Sequence, residues 1–525
     1  MKDHHKKESP IITLPSLAGG FKGGLPPDGD PWYAQYSVSS SNNFDDFASA
    51  IDLDSSRNVF ITTTSYQYST SGTKYAYLVK FDNDGAHQWT SRITGLEVMG
   101  MTSIATSDTD VFLSGSWYNS NGYLEGYIGK WNESGTLQWH KQFYAGNNIS
   151  TRFRDVTTDP SGNVYVVGWI NTTPESLLTF KYNSSGTLQW VKRFVSISGD
   201  NNANVSGQSI TYVPAGGGYP AGVVVTGEVV RYESDSDGNV YTHDLFAIRY
   251  DVNGNVRWKK GVGDGWYYMK ANGSQWGFAP QSEYQCTKNL VSDSSGNIYF
   301  GGMYGSGYNS VQSLIVKLAD DGSLSWVRKI GNTARTVMTT GLSVSSDGTN
   351  LFQTYIYLDS ASNSTAQGHI TQVLTSTGVG VGGTANVRSS IFYKDTGITW
   401  EGTTQGSSYL RGVHTDSRGR IYVLGEGYNF LRANSGRETA IWKLDPELIN
   451  GVYDSGDYSY KYYFTTNSYP NQDPRTHNVA SPAFTSRNLD GTNSNYTGYT
   501  DSSSSRSVTS HSPTTTTISW NPGNP

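Results

Sequence analysis

The stretch Asp159–Phe194, DPSGNVYVVGWINTTPESLLTFKYNSSGTLQWVKRF, decides the fold. It reads as a strand NVYVVG, a variable loop, a strand LLTFKYN, a tight turn SSG and a strand TLQWVKRF, with a further strand leading in over Phe153–Asp159. Apolar and β-branched runs alternating with polar residues mark the strands, and clusters of Gly, Asn, Asp and Ser mark the turns. One unit therefore holds four short antiparallel strands. Working outward, the phrase G-x-x-x-W returns at Gly85–Trp89, Gly135–Trp139, Gly186–Trp190, Gly254–Trp258 and Gly322–Trp326, with the tryptophans spaced 50, 51, 68 and 68 residues apart. A period of this size repeats a supersecondary unit and predicts a blade array.

The second-strand signature occurs seven times, beginning at Val59, Val111, Val164, Val223, Ile298, Leu351 and Ile421. The third strand follows at Leu78–Phe81, Ile128–Trp131, Leu178–Tyr182, Phe246–Tyr250, Ile315–Leu318 and Ile441–Leu444. The sixth unit is degenerate: Ile370–Leu374 is its candidate third strand, and either Val379–Val381 or Ile398–Trp400 its fourth. The seventh unit has no tryptophan strand after Leu444, but the chain opens with an orphan copy, Trp32–Val38. That offset predicts an all-β, seven-bladed β-propeller closed by an N-terminal strand, which removes the edges that an open array would leave. The propeller is expected over residues 31–450, between an N-terminal arm (1–30) and a Ser/Thr/Asn-rich C-terminal arm for assembly (451–525).

Composition narrows the partners. Of 525 residues, 16% are charged, against roughly 25% in an average soluble protein, while Gly (59), Tyr (37) and Trp (14) are abundant. A net charge of −6 gives no basic footprint for nucleic acid. The single cysteine, Cys286, excludes an intramolecular disulfide. No apolar run approaches the roughly 20 residues of a membrane span, and Ile11–Pro15 is too short for the apolar centre of a secretory signal. A hydroxyl- and amide-rich surface without an export signal fits a protein assembled in a host cytoplasm and released by lysis within a virion. Both arms are too polar to fold alone. The alternation Tyr458, Tyr460, Tyr462 and Phe464 looks like a strand seeking a partner, so the arms are expected to contact other virion proteins or further copies of the chain in a homo-oligomer.

Three sets of residues are candidates for sites. The tryptophans Trp32, Trp89, Trp139, Trp190, Trp258 and Trp326 recur at one structural position and are expected to pack between blades. The insert between the fourth and fifth units carries Trp266, Tyr267, Tyr268, Trp276 and Phe278 among Gly, Asn, Ser and Gln; aromatic faces beside amides suit stacking on the sugar rings of a host surface glycan. The same aromatics also suit packing onto the propeller face or against a neighbouring subunit. Turn aspartates, of which Asp235 and Asp237 in DSDGN are the best placed, offer oxygen ligands for calcium, although Asp, Asn and Gly also make tight hairpins with no metal. No other cofactor is implied. His140, His243, His369 and His414 lack metal-binding spacing, and no G-x-S-x-G elbow marks a nucleophile, so no catalytic residue is assigned.

The unit Asp159–Phe194 resembles bacterial β-propeller repeats of the pattern D-x-x-G-N-x-Y-x-x-G followed by K-[YFL]-[DN]-x-x-G-x-x-x-W, and the resemblance runs from residue 31 to about 445. It is also similar to the tryptophan-docking strands of quinoprotein dehydrogenases; eight blades and adjacent cysteines, usual or frequent there, do not match seven units and one cysteine. The leader KKESPIITLPSLAGGFKGG and the tail phrase TSRNLDGTNSN resemble segments of structural proteins of tailed bacteriophages, particularly marine phages infecting cyanobacteria. These resemblances imply a non-enzymatic virion structural protein, in a tail fibre or adsorption role, with capsid decoration next. A secreted glycan-binding or adhesion propeller and a quinoprotein-type enzyme are the alternatives from other classes.

Overall fold

The computed structural model describes residues 32–37, 44–67, 75–94, 103–146, 148–196, 204–235, 238–263, 289–305, 311–330, 336–358, 366–378, 388–395, 408–428, 437–444 and eight short stretches between 451 and 519. Every regular element among them is a β-strand, and the strands form seven antiparallel sheets. Blade one consists of Phe44–Leu53, Val59–Gln67, Tyr75–Phe81 and His87–Thr94. Blade two follows as Ser103–Thr106, Asp110–Tyr118, Leu124–Asn132 and Leu137–Tyr144, and blade three as Thr151–Thr158, Val164–Ile170, Ser176–Tyr182 and Leu188–Ser196. Blade four is Asn204–Val213, Gly222–Asp235, Gly238–Asp251 and Val256–Gly263, and blade five is Leu290–Ser292, Ile298–Gly305, Val311–Leu318 and Leu324–Ile330. The first strand of each blade touches the first strand of the next, and that of blade seven touches that of blade one, so the ring is closed. The fold is a seven-bladed β-propeller.

Blade seven is closed as the displaced tryptophan copy requires. Ser408–Thr415, Ile421–Tyr428 and Arg437–Leu444 come from the end of the array, and Trp32–Ser37 supplies the fourth strand, with Trp32 opposite Lys443 and Tyr36 opposite Thr439. Blade six has Thr336–Val344, Asn350–Leu358 and Ala366–Leu374, which contains the expected third strand. Its fourth strand is Arg388–Asp395, so neither expected segment is correct: RSSIF, Arg388–Phe392, is the run that pairs with Gly368–Gln372. Val379–Val381 and Ile398–Trp400 lie outside the described residues.

Both faces of a blade are covered by neighbours, which is why the second strands read as nearly unbroken apolar runs. Val164, Tyr165, Val166 and Val167 are all buried; Val164 and Val166 face blade two, while Tyr165 and Val167 face blade four. Each apolar cluster therefore belongs to a pair of blades, including the closing pair, where Trp32, Ala34 and Tyr36 pack with Ile51, Val59 and Val79 of blade one.

The C-terminal segment, expected to reach toward neighbouring subunits, pairs its backbone with the blades of its own chain. Gly451–Asp454 and Ser459–Thr465 form a hairpin on the outer edge of blade six. The chain then adds an outermost strand to blade five (Val479–Ala480), four (Thr485–Asn488), three (Gly491–Asn495), two (Thr500–Ser503), one (Val508–Ser510) and seven (Thr514–Ser519). It is a belt running once round the ring in the direction opposite to the blades. The physical reason is the one that suggested an assembly arm: a polar segment without its own core is ordered by adding to an unpaired sheet edge. Here the edges nearest to hand are the outer strands of the same molecule. The N-terminal arm, residues 1–30, lies outside the described residues.

Candidate functional site

The repeated tryptophan and the repeated glycine turn are two halves of one interlock. The indole N–H of Trp89 in blade one donates to the carbonyl of Glu133 in the third-to-fourth-strand turn of blade two, at 2.8 Å. Trp139 donates likewise to Ser184 at 3.1 Å, Trp190 to Val252 at 3.2 Å, Trp258 to Asp320 at 2.9 Å and Trp326 to Thr375 at 3.0 Å. Trp32 closes the series onto Asn83 of blade one at 2.8 Å. The glycine two or three residues after the acceptor holds a left-handed backbone, φ +81° at Gly135 and +78° at Gly186. A Cβ there would sit 2.7 Å from the preceding blade's indole, so glycine serves both the turn and the close approach.

A cation shares each acceptor. The residue opposite the tryptophan on the third strand, nine positions earlier in five blades, is Lys80, Lys130, Lys181, Arg249 or Lys317, and in blade seven it is Lys443. Lys181 Nζ reaches the Val252 carbonyl at 2.9 Å, Lys317 Nζ that of Thr375 at 3.1 Å and Lys443 Nζ that of Asn83 at 3.0 Å. Lys80, Lys130 and Arg249 reach the corresponding carbonyls at 3.1–3.3 Å. One carbonyl thus receives two donors from the neighbouring blade. The second-strand aromatic completes the row: Lys181 lies 5.2 Å from the Tyr165 ring centroid and Lys317 5.1 Å from that of Tyr299. Burial pushes the pKa of Lys443 down to about 8, with Arg420 adding to the effect and Asp416 and Asp84 opposing it.

The turn aspartates have their lone pairs occupied by the turns themselves. Asp159 Oδ1 accepts from the backbone N–H of Ser161 and Asn163, and Oδ2 from Asn163 Nδ2 and the Tyr165 hydroxyl. Asp293 repeats this set on Ser295, Asn297 and Tyr299. The D-x-x-G-N-x-Y phrase is therefore an Asx turn whose carboxylate also holds the strand that follows. Among the described residues no group of three acidic, His or Cys side chains could hold a metal ion. Asp235 ends the second strand of blade four opposite Gly238, and Asp237 lies outside the described residues.

The closing seam between blades seven and one has its own polar anchor. The buried Glu426 carboxylate accepts from the backbone N–H of Ala48 at 2.8 Å, from Arg411 at 2.6 Å and from Arg437 at 3.2 Å, while the Arg437 N–H donates to Asp45 at 2.6 Å. No motif announced this group; its only signal was an acidic residue within the apolar run IYVLGEGY.

The two ends of the ring differ. At one end the first-to-second and third-to-fourth strand connections are mostly short turns of four or five residues, built alike with a left-handed glycine. At the other end leave the blade-to-blade connections and the second-to-third loops, whose lengths vary widely; the fourth strand of blade four ends here at Gly263, before residues 264–288 in the sequence. Trp266, Tyr267, Tyr268, Trp276 and Phe278 lie outside the described residues. In the described part of this face, Tyr118 is 41% exposed and the Arg152 guanidinium carbon lies 5.4 Å from the Trp169 ring centroid. Behind it, burial and the charge of Arg152 hold the pKa of Arg154 well below its ordinary value, and burial with the nearby Glu228 raises that of Glu175. The Ser150 hydroxyl accepts the Leu124 N–H at 3.1 Å and its carbonyl accepts that of Asn171 at 2.8 Å, tying blades two and three together here.

A family comparison agrees with the architecture. Residues 138–174 match the beta-propeller repeat family. That span runs from the tryptophan strand of blade two to the second-to-third loop of blade three, one register of the repeat. No curated protein matches the chain in sequence. Among solved structures, the chain is similar to a subtype N10 neuraminidase-like protein of A/little yellow-shouldered bat/Guatemala/060/2010, with 8% identity over 62% of this chain and 94% of that one, and a TM-score of 0.33. A subtype N11 neuraminidase-like protein of A/flat-faced bat/Peru/033/2010 (H18N11) gives 11% identity over 81% and 96%, with a TM-score of 0.35. A mannose phosphorylase from Leishmania mexicana gives 10% identity over 56% and 84%, with a TM-score of 0.26. Among the described residues no helix is long and apolar enough to cross a membrane.

Proposed function

We propose that this chain is a non-enzymatic display module: a bacteriophage virion protein in a tail-fibre or adsorption position, whose variable-loop face contacts a glycan on the host surface. The observation that carries the reading is the asymmetry of the ring, with near-uniform short turns at one end and divergent connections at the other. Binding residues concentrate on loops held by a rigid scaffold, and the clamps and the belt supply that rigidity. The low charge and the aromatic–amide insert at 264–288 favour an uncharged, hydroxyl-rich ligand over nucleic acid. Placement in a virion rests on the likeness of the leader and of TSRNLDGTNSN to phage structural proteins. Mass spectrometry of purified particles is expected to find the chain at stoichiometric level, and its absence from them would remove the virion role. A glycan-binding assay on host cell-wall fractions, comparing the wild type with a W266A/W276A variant, is expected to show binding lost with folding intact; unchanged binding would remove the insert from the site.

A further inference from the structure

The interlock is missing from one seam: its acceptor half is absent for a topological reason and its donor half through the sequence. Blade seven has no third-to-fourth-strand turn, because its third strand ends at Leu444 and its fourth, Trp32–Ser37, comes from the other end of the chain. Among the described residues, blade six consequently meets no third-to-fourth-turn carbonyl on blade seven. Its own sequence has lost the donors as well: Gln372 stands at the cation position, and Arg388, opposite it, at the tryptophan position. Near the axis the seam is still well made. The Ser343 and Thr415 hydroxyls lie 2.8 Å apart, the Thr415 hydroxyl donates to the Val344 carbonyl at 2.7 Å, and a Cβ at Gly341 would stand 2.9 Å from the Gly412 Cα. Among the described residues, what this boundary lacks is the tryptophan–cation fastening of the other six seams.

The belt begins and ends at that boundary. Its first strand, Gly451–Asp454, is the outermost strand of blade six, and its last, Thr514–Ser519, is the outermost strand of blade seven; the two are in contact. At the other seams its described strands add to one blade and then to the next. Thr514–Ser519 also pairs along the whole of Trp32–Ser37, the strand that closes the ring, with Trp32 opposite Ser519 and Ser37 opposite Thr514.

We propose that the C-terminal belt is the clasp of the ring, and that its terminal strand does at the six–seven seam what the tryptophan–cation clamp does at the other six. Blades six and seven then separate first when the belt is released, with the clamped seams holding. An adjustable outer strap also explains how the sixth unit could lose the repeat signature without the ring losing closure.

Native-state hydrogen exchange on the full-length chain tests this. In a T515P/T516P variant, proline removes backbone donors from the last belt strand. The outcome expected is exchange faster by about 10-fold or more in Arg388–Asp395 and Ser408–Thr415, with Leu137–Tyr144 and Thr151–Thr158 at the clamped two–three seam unchanged. An N493P/S494P variant, which disturbs the belt over blade three, is the control and is expected to open no seam. Equal acceleration at all seams, or none at the six–seven seam in T515P/T516P, overturns the proposal. So does opening of the two–three seam by the control.

Discussion

Replacing Gly186 with alanine separates the two demands that the G-x-x-x-W phrase places on its glycine. Gly186 and Gly122 occupy the same kind of turn, with φ of +78° and +80°, and each donates its N–H to the carbonyl three residues earlier. Alanine costs about 1–2 kcal/mol in this backbone region at either position. At Gly122 a Cβ meets nothing within 4 Å, so G122A is expected to show that cost alone. At Gly186 the Cβ falls 2.7 Å from Trp139 Cδ2 and 2.9 Å from Cε2. The indole must move, which adds about 1–3 kcal/mol of overpacking and about 1 kcal/mol from the lost bond to Ser184. G186A should therefore be about 2–4 kcal/mol more destabilising than G122A. Urea unfolding followed by tryptophan fluorescence, with the denaturant slope checked for constancy, measures both. In a W139A background the excess at Gly186 should disappear, since the two residues share one contact. Equal costs for G186A and G122A, or an excess that survives W139A, would refute the docking role of the pair.

Other expectations follow from the same contacts. Lys443 has a folded pKa of about 8 against an ordinary 10.5, so the folded state binds its proton less tightly than the unfolded chain. Its burial penalty is complete below pH 8 and is relieved as the pH rises toward 10.5, so wild-type stability should rise relative to K443M across that window; parallel curves would contradict it. Asp155 accepts from the Ser103 hydroxyl at 2.6 Å, the Val156 N–H at 2.8 Å and the Ile210 N–H at 2.9 Å, joining three blades, so D155A should cost about 2–5 kcal/mol in urea unfolding. Because Asp82, Asp159, Asp251, Asp293 and Asp416 each accept two backbone N–H groups, EDTA should leave the melting temperature unchanged. A fall reversed by calcium would show that the turns hold a metal.

The ring was legible because its evidence is periodic. Seven second strands and a tryptophan strand displaced to residue 32 follow from counting copies, and the closing pair Trp32–Lys443 is where that count puts it. The cations opposite the tryptophans were equally periodic; what hid them is that a lysine on a strand reads as a solvated edge until its partner carbonyl in another blade is known. Arg388–Asp395 was missed because Arg388 stands where the other units carry the tryptophan and a longer connection precedes it, so the repeat signature is absent from it. The belt was legible only as a strand seeking an edge: its short segments gain order from backbone pairing, which any Ser/Thr/Asn-rich sequence can provide, so nothing in them names the acceptor blade. In the sequence Glu426 is only an acidic residue within an apolar strand; its role shows once Arg411 and Arg437 are placed against it.

Closure by the N-terminal strand is the claim on which the blade count, the sixth clamp onto Asn83 and the clasp all depend. Gln35 lies opposite Ala440 in the antiparallel pair that closes blade seven, a position where cross-strand Cβ atoms come within about 4.5–5.5 Å. In a full-length Q35C/A440C/C286S chain, non-reducing peptide mapping should recover a 35–440 disulfide in the monomer under mild oxidation. Two unlinked thiols in the folded monomer, or a bridge found only between chains, would contradict closure in this register.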